Sequence, residues 1–163
     1  MSNHPSGVLT LALTVDISFE PRLFALIIGI NDYVKGTKLR GACADAMAME
    51  EYVKTVLHVP DNRIIVLLDQ AASRNAIIKA FLGLKDNAEI QRDDAILIFY
   101  AGHGAEILDG AEGRKIQSIV PRDCNEVDVH PIPDKTIGNL LAQIHEAKGD
   151  NIVSSFYRTH SLA

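Results

Sequence analysis

Tryptophan is absent from the 163 residues, and cysteine occurs only at Cys43 and Cys124. Two cysteines without C-x-x-C spacing exclude a disulfide-stapled secreted scaffold and a thiolate zinc or redox centre, and they fit a reducing, cytoplasmic setting. No apolar run approaches the roughly 20 residues needed to cross a bilayer, so no membrane role is expected. Val8 to Val15 has the apolar character of a signal-peptide core, but no Lys or Arg precedes Arg22 and Asp16 follows at once, which argues against export. Lysine and arginine form no cluster and the net charge is −5, which leaves nothing to neutralise a nucleic-acid backbone. Neither a G-x-x-x-x-G-K-[ST] loop nor a G-x-G-x-x-G occurs, which weakens a nucleotide-binding reading. His58, His130, His145 and His160 lack the spacing of a metal site, so no metal is expected.

What is present suits one globular domain: 47% hydrophobic and 23% charged residues, enough to bury a core without staples. Residues 1–20 read as a flexible leader and 21–163 as the domain. Leu23 to Gly29 and Arg63 to Leu68 are continuous apolar runs of strand type, each followed by turn-forming residues. Between them Ala46, Met49, Val53, Val56 and Leu57 recur at helical spacing, which predicts a helix from Asp45 to about Leu57. Ser73 is an expected N-cap for a second helix carrying Ile77, Ile78, Phe81 and Leu82. A third helix is expected from about Asp134 to Ala147, stopped at Gly149.

The stretch around which this pattern is organised is Asp94 to Gly104, where Ile96 to Tyr100 are apolar and His103 stands between two glycines. An unbroken apolar run fits a strand covered on both faces, and the glycines predict a sharp turn that leaves the imidazole at the strand's carboxyl end. Ala105 to Leu108 and Gln117 to Val120 then bound a hairpin. Alternating strands and helices imply an α/β three-layer sandwich with a mainly parallel sheet.

Three motifs in order, Ala25-Leu26-Ile27-Ile28-Gly29-Ile30-Asn31, Leu39-Arg40-Gly41-Ala42-Cys43-Ala44-Asp45-Ala46 and Phe99-Tyr100-Ala101-Gly102-His103-Gly104, resemble the caspase and metacaspase cysteine endopeptidases, closest in style to those of fungi and plants. The resemblance runs from about Arg22 to Asp150. It implies a caspase-like fold represented by its large-subunit part and incomplete at the C-terminus. It implies that His103 is the catalytic histidine of a Cys/His dyad and that the Gly104 N–H belongs to the oxyanion hole. Asp45 then lines a substrate pocket for a basic P1 residue of a protein or peptide; its plainer reading is a carboxylate favoured by the helix dipole. A calcium requirement is possible by the same resemblance, but no carboxylate cluster nominates a site and no other cofactor is implied.

The pattern breaks at the nucleophile. Relatives of this kind end the next strand in Asp-Cys-Cys-His-Ser-Gly or similar, whereas here the stretch reads Phe156-Tyr157-Arg158-Thr159-His160-Ser161. Tyr157 stands for the aspartate and Thr159 for the cysteine. An unactivated hydroxyl lacks the partial ionisation that makes a thiol reactive near neutral pH, so peptide hydrolysis is expected to be all but lost. Cys124, in the loop after Val120, is a weak substitute, and Cys43 reads as a packed apolar residue. Three readings stay open: an endopeptidase domain without its nucleophile, a non-catalytic module pairing with a related peptidase or with itself through a sheet edge, and a mis-spliced end.

Overall fold

The computed structural model describes residues 22–108 and 113–160; the expected leader, residues 1–20, lies outside them. Six strands form one sheet: β1 (Leu23–Gly29), β2 (Ile64–Leu68), β3 (Ala95–Leu108), β4 (Lys115–Ile119), β5 (Ile132–Pro133) and β6 (Ile152–His160). Among the described residues three α-helices join them, α1 (Ala42–Thr55), α2 (Arg74–Asp86) and α3 (Asp134–Lys148). β2, β1, β3 and β6 run parallel side by side, with β1 aligned on residues 95–101 of β3 and β6 on residues 96–104. β4 pairs antiparallel with residues 104–108 of β3, and β5 pairs antiparallel with β4.

Period-two alternation in the strands explains the layering. Phe24, Leu26, Ile28, Ile96, Ile98 and Tyr100 bury one sheet face against Ile77, Phe81 and Leu84 of α2 and Ile137, Leu140 and Ile144 of α3. Ala25, Ile27, Phe99 and Ala101 point the other way, onto Ala42, Ala46 and Val53 of α1. Small side chains on that face let α1 lie close, so close that a Cβ on Gly29 would stand 2.6 Å from Ala46 Cβ. The result is the expected α/β three-layer sandwich.

Ends are fixed by polar contacts. At the entry of β1 and β3, Arg22 grips the buried Asp94 carboxylate through Nε at 2.7 Å and a second nitrogen at 3.0 Å. Ser73 caps α2 as expected, its hydroxyl accepting from Ala76 N–H at 3.2 Å. Gly149, at φ +95°, ends α3.

Three boundaries differ from the sequence reading. α1 begins at Ala42, without a side-chain cap, so Cys43 and Asp45 both lie in its first turn. β6, expected over Asn151 to Tyr157, continues to His160. Most consequential, β3 does not turn at the Gly-His-Gly triplet but runs on as one 14-residue strand into the hairpin. The two glycines are there for space. A Cβ on Gly102 would lie 2.5 Å from the Tyr100 hydroxyl and 2.7 Å from that of Tyr33, and one on Gly104 would meet the Arg158 side chain at 3.0 Å.

Candidate active site

His103 is 7% exposed, and its surroundings hold it from both main chain and ring. Its backbone N–H donates to the Tyr33 hydroxyl at 2.7 Å, and its carbonyl accepts from the Tyr100 hydroxyl at 2.8 Å and from Val120 N–H at 3.0 Å. The two phenol oxygens both border the space beside Gly102, at 2.5 and 2.7 Å from where a Cβ there would stand. Tyr100 also donates toward the Val120 carbonyl at 3.0 Å. The two tyrosines thus hold the His103 main chain from both sides, Tyr33 at its N–H and Tyr100 at its carbonyl.

Burial pushes the Tyr33 phenol up to about 12, against the lowering effect of its bond with His103, and burial likewise pushes Tyr100 well above the ordinary value. Both ionise more readily when unfolded, so both favour the fold at lower pH; the Tyr33 contribution is complete below about pH 10 and is lost as pH rises toward 12. Tyr33 alone accounts for about 2–3 kcal/mol over that window. Denaturation midpoints measured from pH 8 to 12 are expected to fall steeply above 10, and less steeply in Tyr33→Phe.

The ring is set equally closely. It packs on Tyr33 with centroids 4.7 Å apart, and Nε2 lies 2.7 Å from the Thr37 carbonyl oxygen. A carbonyl can only accept, which puts a proton on Nε2 and leaves Nδ1 as the lone-pair nitrogen of the neutral ring. Nδ1 is 3.4 Å from Thr159 Oγ1 and 3.3 Å from the Thr159 carbonyl oxygen. Neutral His103 can thus accept the Thr159 hydroxyl proton, and protonated His103 can donate to the Thr159 carbonyl.

Thr37 arrives by a loop whose length is fixed by Leu39 N–H donating to the Asn31 carbonyl at 2.9 Å and Val34 N–H to the Arg122 carbonyl at 3.0 Å. Gly36, at φ +121°, makes the bend just before Thr37. The base of the loop is held by Asp69. Burial raises that carboxyl, but bonds from the Asp32 and Asn31 N–H groups outweigh it and leave it below the usual range.

The other residues singled out in the sequence fall as follows. Thr159 of β6 is in direct register with His103 of β3. Gly104 lies between Ile119 of β4 and His160 of β6. Asp45 is exposed in the first turn of α1 and lines a cavity of about 150 Å³ together with Gly102, Tyr157 and Thr159. Cys124 is buried outside that cavity's lining, and the Cys43 thiol donates to the Gly29 carbonyl at 3.4 Å; burial raises both thiols, which suits neither to attack. Thr37 and the tyrosine pair were missed by the sequence reading. A main-chain carbonyl has no residue signature, and Tyr33 looked like one more residue of a turn.

A family model, metacaspase peptidase C14 domain, matches residues 24–161. The chain belongs to the metacaspase family. Metacaspase III c of Phaeodactylum tricornutum is 36% identical over 112 residues, 63% of this chain and 32% of the relative. Metacaspase-1 of Candida glabrata is 29% identical over 146 residues, 84% of this chain and 36% of the relative. The metacaspase chain described here thus spans about a third of the length of these curated relatives. The crystal structure of a Geobacter sulfurreducens protein superimposes with a TM-score of 0.63 at 18% identity, covering 86% of this chain and 50% of that one, which supports the fold alone.

No group of three or more His, Cys, Asp or Glu side chains among the described residues is arranged to hold a metal ion. Among the described residues no helix is long and apolar enough to cross a membrane.

Proposed function

We propose that this is a metacaspase-type endopeptidase domain, corresponding to the large-subunit part, in which the acid–base histidine is retained and the nucleophile is replaced. The observation that carries the reading is the 3.4 Å approach of Thr159 Oγ1 to His103 Nδ1 across paired strands. In such a site the histidine moves a proton between nucleophile and leaving amine, and main-chain N–H groups steady the oxyanion, the role we give to Gly104. His103 is oriented for that exchange by the Thr37 carbonyl. With a threonine hydroxyl instead of a thiol the site binds peptide without cutting it. Asp45, lining the same cavity as Thr159, pairs with a basic P1 side chain, arginine or lysine. The proton chemistry at His103 calls for no cofactor. Two free thiols, one of them buried, are consistent with a reducing, cytoplasmic setting.

The test is a fluorogenic peptide ending in arginine, assayed with the parent chain and with His103→Ala. Neither is expected to rise above the buffer rate; turnover by the parent that disappears in the variant overturns the silent-site reading.

A second reading is favoured by β6, whose outer edge has no partner among the described residues and which exposes Val153 and Tyr157. Such an edge pairs readily with another strand, here a related peptidase or a second copy. Size-exclusion chromatography with and without an active metacaspase is expected to show a mixed complex if the edge is used in this way, and separate peaks reject it.

A further inference from the structure

Beside the cavity that holds Asp45 and Thr159 lies a second, wider cleft of about 380 Å³ between α1 and β6, lined by Asp45, Ala48, Met49, Tyr52, Phe99 and Tyr157. The two hollows share Asp45 and Tyr157 as a common wall. Three of the six lining residues are aromatic in a chain with only 6% aromatic residues. Phe99 is the buried floor, while Tyr52 and Tyr157 are 49% and 68% exposed. Phe99 and Tyr157 have centroids 6.2 Å apart and planes inclined at 39°, so the exposed Tyr157 ring and the Phe99 floor enclose one corner of the cleft. A cation seated in that corner lies within the roughly 6 Å at which ring faces attract positive charge.

The charge of the cleft points the same way. Among the described residues no cation pairs with the Asp45 carboxylate, and it is the only ionisable group in the lining apart from the phenols. The remaining surface is a thioether, a methyl and rings, with the two phenol hydroxyls as its other polar atoms, so a cation entering it recovers few of the hydrogen bonds it loses from water. A primary ammonium, compact and strongly hydrated, gives up more on entry than it regains. An ammonium whose hydrogens are replaced by methyl groups loses little on entry and keeps its attraction to the rings and to the carboxylate.

We propose that this cleft binds a peptide side chain bearing a methylated ammonium, a di- or trimethylated lysine. The peptide source is favoured because the cleft borders the cavity of Thr159 across Asp45 and Tyr157, where the proposed function puts a bound peptide. The inference rests on that reading for its polypeptide, but its test requires no hydrolysis.

Calorimetric titration of the full chain is to be made with an acetylated, amidated tetrapeptide carrying trimethyllysine. The same tetrapeptide carrying unmodified lysine or the uncharged tert-butyl isostere of trimethyllysine, and choline alone, are the comparison arms. The trimethyllysine peptide is expected to bind at least about tenfold more tightly than the isostere, which has the same shape without the charge. It is also expected to exceed the lysine peptide and choline. Tyr52→Leu and Tyr157→Leu, whose melting curves verify folding, and Asp45→Asn are each expected to erase most of that preference. Equal binding of the isostere, absence of binding by the trimethyllysine peptide, or choline matching it overturns the proposal. Tighter binding of unmodified lysine also overturns it, while leaving the basic-residue specificity of the proposed function standing.

Discussion

Thr159→Cys is expected to turn a silent chain into a thiol-dependent hydrolase. The substitution exchanges the hydroxyl for a thiol, and drops a methyl group, at a position whose partner is already in place: Nδ1 of His103 is 3.4 Å from the present oxygen, and Nε2 is fixed on the Thr37 carbonyl. A thiol is far more acidic than a threonine hydroxyl, and its anion attacks carbonyl carbon readily. Histidine beside it adds a typical 10²–10⁴-fold as general acid and base. Hydrolysis of an arginine-terminated fluorogenic peptide should therefore rise by about 10³-fold over the parent. Adding His103→Ala to Thr159→Cys should remove nearly all of the gain, and iodoacetamide should abolish it. Turnover unaffected by the loss of His103 would mean that the pair does not act as a unit.

Gly102→Ala is expected to cost about 3 kcal/mol or more, an unusual penalty for one methyl group. The new Cβ enters a space already occupied by two phenolic oxygens at 2.5 and 2.7 Å, and neither ring can retreat freely: Tyr100 is fully buried and Tyr33 is 4% exposed. Displacing the hydroxyls breaks their separate bonds to the His103 N–H and carbonyl and leaves buried polar groups unpaired. For a chain of this size the melting temperature should fall by about 6–12 °C. Combining the change with Tyr33→Phe, which removes one of the two colliding oxygens, should recover part of the loss. If Gly102→Ala melts within about a degree of the parent, the glycine is not there to make room.

Much of the architecture could be read from residue order because the strands carry their own signature. Ile27 and Ile98 sit in unbroken apolar runs that only a sheet covered on both faces explains, and the helices announce themselves by Ile77 and Phe81 or Ile137 and Ile144 at helical spacing. The pairing of His103 with Thr159 was also within reach, since motif alignment set residue 159 opposite residue 103 before any coordinates. What could not be read was the meaning of the glycines. In isolation they suggest a turn; in the fold they are vacant positions kept for Tyr33, Tyr100 and Arg158, residues up to 69 positions away, and the strand passes straight through. Thr37 was hidden for a related reason. Its contribution is a carbonyl, common to every residue, aimed by Gly36 and by the closure of its loop on Asn31.

The unbroken course of β3 through residue 103 has a mechanical corollary. One strand belongs both to the parallel layer and to the antiparallel pair with β4, and the imidazole is mounted one residue before their junction at Gly104. The root of the ribbon is therefore next door to the histidine, and a substitution that shifts the register of Gly104 on Ile119 is felt first at residue 103.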